Sequence, residues 1–105
     1  MEDKEINNLI GQKLFNDVYM SMSNVECMNY EPTKNLNQAW QCLQKLPKGV
    51  YFTVTINKGR YLINLIDENI VTKGWAYCDD LSEANFARAI CVAMLRLIGE
   101  YKEEK

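Results

Sequence analysis

The sequence predicts an α+β fold, a three-stranded antiparallel sheet with helices packed on it as a helix–sheet–helix sandwich. Three observations carry this. Residues 50–56 alternate apolar and polar side chains, the period-two signature of a half-buried strand. Two polar clusters, Asn57-Lys58-Gly59 and Asp67-Glu68-Asn69, divide the strand-forming region into pieces whose short connections permit only an antiparallel meander. Apolar residues recur at helical spacing on both sides of that region. The 105 residues have room for one core, so residues 1–105 are expected to form a single domain.

Taken in order, Ile6, Leu9, Ile10 and Leu14 line one face of a first helix, about Asp3 to Phe15. Residues 16–34 are irregular, and a short strand around Val18–Met22 would, if formed, be a fourth strand. Asn35 is placed as the N-cap of a second helix, with Gln38 set to reach back to it. Leu36, Ala39, Trp40, Leu43 and Leu46 make its apolar face, which puts Trp40 in the core, and Pro47 and Gly49 end it. In the first strand Val50, Phe52, Val54 and Ile56 share one face, and Tyr51, Thr53 and Thr55 the other. Asn57-Lys58-Gly59 turns the chain because Asn and Gly tolerate positive φ. Arg60–Ile66 and Ile70–Tyr77 are the second and third strands.

Asp80, with Glu83 three residues on, has the pattern of a capping box for a last helix from about Leu81 to Tyr101. Between Phe86 and Ile98 that helix is apolar nearly all round, interrupted only by Arg88 and Arg96. It needs cover on more than one side. A second subunit would supply it, and a homo-oligomer is the expectation; packing between the other two helices is the alternative. The charge-rich ends, residues 1–5 and 102–105, are expected to fray.

The chemistry encoded is sparse. Without histidine there is no Ser-His or Cys-His pair, no imidazole acid or base, and no usual zinc or iron site. No phosphate-cradling glycine loop or nucleophile elbow occurs. The four cysteines, Cys27, Cys42, Cys78 and Cys91, form no C-x-x-C pair, and Cys42 and Cys91 fall in apolar runs where a thiol packs as a small hydrophobe. Asp67-Glu68 and Asp79-Asp80 read as turn and cap residues, not as a catalytic pair or metal ligands. No catalysis and no cofactor are expected. A net charge of −2 and a pI near 5.1 argue against binding bulk nucleic acid. No apolar run reaches the roughly 18–20 residues a membrane span needs. Free thiols and an acidic start, Met-Glu-Asp-Lys-Glu, make a cytoplasmic location the expectation.

Binding remains. Tyr51, Thr53 and Thr55, with Lys58 and Arg60 of the hairpin and Lys73, Trp75 and Tyr77 of the third strand, interleave aromatic faces with cations. That combination stacks a nucleobase, at roughly 1–3 kcal/mol per base, and pairs its phosphates. Tyr51, Arg60, Lys73, Trp75 and Arg88 are the candidate ligand-binding residues for a small anionic nucleotide. The competing reading buries Trp75 and Tyr77 under a helix and leaves the cations as solvated guards of an edge strand.

The stretch Tyr30-Glu31-Pro32-Thr33-Lys34-Asn35-Leu36-Asn37-Gln38-Ala39-Trp40 and the closing Glu83-Ala84-Asn85-Phe86-Ala87-Arg88-Ala89-Ile90-Cys91-Val92-Ala93-Met94-Leu95 resemble the phage αβα-sandwich domain family, small proteins of Firmicutes phages and prophages. The middle loop is shorter than in the family pattern. The resemblance implies helix–sheet–helix layering and supplies no catalytic residues. By analogy with other small phage proteins that counter host immunity, it implies a sponge for a nucleotide-type signal, of the cyclic oligonucleotide or cyclic ADP-ribose class, acting in the host cytoplasm. A protein–protein module using the last helix and the Met20–Met28 segment is the alternative, and a metal-independent hydrolase built from Glu, Tyr and Lys is a third reading.

Overall fold

The computed structural model describes residues 1–23, 26 and 29–103. Its elements are α1 (Asp3–Leu14), α2 (Asn16–Met20), α3 (Leu36–Leu43), β1 (Tyr51–Asn57), β2 (Arg60–Ile66), β3 (Thr72–Cys78) and α4 (Glu83–Leu97). The α+β class and the three-stranded antiparallel meander, in the order β1-β2-β3, are those the sequence predicts.

Register divides the sheet into two unlike faces. On the inner face Phe52, Leu65 and Gly74 lie side by side across the strands, as do Val54, Ile63 and Ala76. Ile63, Leu65 and Ala76 are buried there. On the outer face Thr53, Asn64 and Trp75 align, then Thr55, Leu62 and Tyr77. α4 crosses the inner face over β3 and β2, and α3 and α1 pack on α4. The layering is therefore helix on helix on sheet and not the expected helix–sheet–helix sandwich. Among the described residues α3 and α1 pack on α4, not across the sheet, and Tyr51, Trp75 and Tyr77 of the outer face are open to solvent.

This arrangement answers the apolar girdle of α4. Every residue from Ala89 to Leu95 is buried, between the sheet on one side and α3 and α1 on the others. One chain supplies this cover from Ala89 to Leu95 and leaves Ile98 37% exposed, so the middle of the girdle does not by itself require a second copy. Cys42, Cys78 and Cys91 are buried free thiols; Cys27 lies outside the described residues.

Several local expectations are corrected. Val18–Met22 is not a strand, because Asn16–Met20 is the short helix α2. Tyr19 of that helix folds back on α1, its hydroxyl donating to Asn8 Oδ1 at 2.7 Å. Asn35 does cap α3, accepting from Gln38 N at 3.0 Å, but the Gln38 side chain accepts from Glu31 N at 2.9 Å instead of closing a capping box. Trp40 sits on the rim, edge-on to Phe52 and Phe86, and is 39% exposed. The hairpin bends at Lys58 (φ 53°) and Gly59 (φ 78°), a two-residue loop that leaves Asn57 in the strand opposite Arg60. β3 starts at Thr72, since Ile70 is spent in the turn with φ 61°.

α4 begins at Glu83, not Leu81, with Ser82 as its N-cap. Asp80 accepts from Ser82 N and Asn85 Nδ2, both at 2.9 Å, as a turn residue. The Glu83 carboxylate reaches to another helix and accepts from Leu36 N at 3.1 Å, satisfying a free donor at the start of α3. At its far end α4 stops at Leu97. Gly99 (φ 75°) lets Glu100 N donate to Leu95 O at 2.8 Å and Gly99 N to Arg96 O at 3.2 Å, the Schellman pattern that reverses a chain. The two ends are tied down as far as they are described. Arg88 donates to Asp3 Oδ1 at 2.8 Å and to Met1 O at 3.0 Å, and Arg96 holds Glu103. Among the described residues no helix is long and apolar enough to cross a membrane.

Candidate ligand-binding groove

Gly74 sets the distance between β3 and α4. A Cβ there would collide with the Ala93 carbonyl oxygen and press on Leu97 N at 3.0 Å, so only glycine lets the two backbones approach this closely. Arg88, Val92 and Arg96 recur every fourth residue along α4 and so share the face that runs beside β3. Between the helix and the strand lies a groove of about 350 Å³ whose lining includes Arg60, Trp75, Tyr77, Arg88, Arg96 and Tyr101. That volume is in the range of small-molecule sites.

Cations and aromatic rings alternate along it. The Arg96 guanidinium carbon is 3.8 Å from the Trp75 ring centroid and 4.5 Å from that of Tyr101. Trp75 meets Tyr77 edge-on at 5.8 Å, and Arg60 lies over Tyr77 at 4.9 Å. Arg96 also donates from Nη1 to the Trp75 carbonyl at 2.8 Å, a bond that fixes the guanidinium against the edge of the sheet. Its side chain is only 16% exposed. Such contacts are worth roughly 0.5–2 kcal/mol each, more as they lose water.

Each of the three guanidiniums has a carboxylate partner. Arg60 pairs with Asp79 at 3.1 Å, Arg88 with Asp3 at 2.8 Å, and Arg96 with Glu103 at 2.7 Å. Arg60 and Asp79 are 54% and 83% exposed, and exposed pairs hold by roughly 0–1 kcal/mol, so an incoming anion exchanges with Asp79 at little cost; Glu103 is 60% exposed but grips the 16% exposed Arg96 more firmly. Arg88 differs. Bound to both Asp3 and the Met1 carbonyl, it serves to pin the N-terminal turn of α1 to α4.

Of the five residues picked from sequence, the groove therefore gathers Arg60, Trp75 and Arg88. Tyr51 stands apart on the outer face of β1, opposite Ile66. Lys73 is the extra residue of the bulge between Thr72 and Gly74, and its ammonium lies 3.6 Å from Asp67 Oδ2. Trp75 and Tyr77 are not under a helix. Arg96 and Tyr101 escaped the sequence reading, although Arg96 is two turns from Arg88 on one helix face. Gly99 is the signal that should have turned the tail back onto it.

The other reactive groups have ordinary structural roles. A hydrogen bond from Cys42 and then burial push the Cys91 thiol well up, and burial with Asp80 and Asp79 nearby raises Cys78. Both stay protonated and are poor nucleophiles. Backbone donors at Val71 and Asn69, helped by Lys73, lower Asp67, and bonds from Ser82 and Asn85 lower Asp80, as turn carboxylates should behave. Among the described residues no three His, Cys, Asp or Glu side chains converge as a metal site would require. A second hollow of about 440 Å³ beside α1 contains Lys4 and Lys34, but Asp3 and Glu31 share it and Tyr30 is its one ring.

Comparison of the chain with models of known families, with curated proteins and with solved structures gives no match. The resemblance to phage αβα-sandwich proteins accordingly stands on the two helical motifs alone.

Proposed function

We propose that this protein binds, without transforming, a small phosphate-bearing ligand with a planar ring, of nucleotide type, in the groove between β3 and α4. The observation that carries the reading is the run Tyr101–Arg96–Trp75–Tyr77–Arg60, in which rings able to stack a base alternate with guanidiniums able to pair phosphate. Two stacked faces and two charge-assisted pairs are worth roughly 5–12 kcal/mol before ordering costs, which spans about 0.2 mM to nanomolar binding. The groove holds no histidine, its thiol Cys78 is kept protonated, and among the described residues the carboxylates that reach its guanidiniums, Asp79, Asp3 and Glu103, are paired with Arg60, Arg88 and Arg96. Sequestration of a nucleotide signal of the cyclic oligonucleotide or cyclic ADP-ribose class, in the cytoplasm of an infected host, is the role that joins this site to the phage resemblance.

Calorimetry against a panel of cyclic di- and trinucleotides and cyclic ADP-ribose isomers tests the proposal. One member should bind and be recovered unaltered after heat denaturation, and Trp75→Ala should weaken it at least about tenfold, from the loss of one stacking face. Silence across the panel overturns the proposal, and conversion of the ligand replaces it with an enzyme. A second reading, docking on another protein, is favoured by the open outer face, where Tyr51, Trp75 and Tyr77 are exposed.

A further inference from the structure

The tail beyond α4 does something specific to Arg96. Its three donor nitrogens are all engaged: Nη1 by the Trp75 carbonyl, and Nε and Nη2 by the two carboxylate oxygens of Glu103, at 2.7 and 2.9 Å. The last two bonds form the paired fork with which a guanidinium holds either a carboxylate or a phosphate. The Trp75 carbonyl and the Trp75 and Tyr101 rings orient the guanidinium independently of Glu103. Removing that carboxylate therefore leaves an aimed, largely desolvated fork in the groove. Glu103 itself sits on a segment without regular structure, swung back by the turn at Gly99.

On the strength of the groove's being a nucleotide site, we infer that Arg96, Trp75 and Tyr101 form its phosphate subsite and that Glu103 fills it as a built-in competitor. The ligand's phosphoryl oxygens take the fork when the Glu103 carboxylate leaves, and the side chain moves to solvent, where it is already largely exposed. No bond other than hydrogen bonds is made or broken. The same exchange explains how a groove with paired charges accepts an anion.

The test compares the full-length wild type with Glu103→Gln, which keeps the size of the side chain and removes its charge. Each is titrated with AMP and with inorganic phosphate while the Arg96 Nε–H resonance is followed by NMR. AMP should bind Glu103→Gln about five- to tenfold more tightly than wild type, the gain from deleting the competing carboxylate and its repulsion of phosphate. The Arg96 resonance should shift at saturation in both. Equal affinities overturn the competitor role and leave the groove proposal standing. Binding that leaves the Arg96 resonance unmoved overturns the subsite, and absence of AMP binding in both proteins overturns subsite and groove together.

Discussion

Gly74→Ala is the substitution by which the close approach of β3 and α4 is best measured. Real Cβ atoms keep at least 3.0 Å from such neighbours, and at Gly74 the Ala93 carbonyl oxygen lies well inside that limit, with Leu97 N at 3.0 Å and Leu97 Cβ at 3.1 Å behind it. None of these is the loose end of a flexible side chain. α4 must withdraw by several tenths of an ångström or β3 must bend. Ala93, Ile90 and Met94 are fully buried on that helix, so movement opens gaps elsewhere in the core. Overpacking of this kind costs about 1–3 kcal/mol. For a domain of this length 2 kcal/mol lowers Tm by roughly 8–16 °C, readable by circular dichroism or calorimetry. Gly59→Ala is the control: nothing lies within 4 Å of its added methyl, and only its positive φ of 78° is penalised, at about 1–2 kcal/mol. The withdrawal also draws Arg96 away from the Trp75 carbonyl, so AMP affinity should drop in Gly74→Ala and not in Gly59→Ala. A Gly74→Ala protein melting within about 2 °C of wild type refutes the packing described for this interface.

Two further predictions concern stability. Ile70, a β-branched residue held at φ 61° and 79% exposed, should be replaceable by Gly with a gain of about 1 kcal/mol in urea unfolding, and a loss would show that its side chain is needed by the fold. Asp67 and Asp80 have folded-state pKa values below the ordinary 3.8, so the stability they lend is fully present above that value and is lost as pH falls through their folded-state values. Asp67→Asn should accordingly flatten the acid limb of a Tm-against-pH profile while leaving its neutral plateau's slope unchanged; an acid limb identical to wild type contradicts the turn role.

How far the sequence speaks for the fold depends on the range of the interactions involved. The strands and their faces are legible because side-chain alternation and turn chemistry are local, and the paired positions of Thr53, Asn64 and Trp75 follow once the hairpin is placed. Helix ends are less so. Glu83 looks like a partner for Asp80 but bonds to Leu36 N, 47 residues away in sequence, a contact no local pattern encodes. The groove is half legible: Arg60, Trp75 and Arg88 converge because the meander and the final helix bring them together. Tyr51 and Lys73 lie outside that groove; strand position alone does not say which edge faces α4. Arg96 reads in the sequence as an interruption of an apolar run, since its partners Trp75, Tyr101 and Glu103 come together only after the chain doubles back at Gly99.

The chain has two tryptophans, and they occupy unlike surroundings. Trp40 leans on Phe52 and Phe86, away from the groove, whereas Trp75 carries a guanidinium on its ring. With Trp40 replaced by Phe, the remaining indole becomes an optical reporter lodged inside the groove itself, and its emission tracks occupancy without any label attached to protein or ligand.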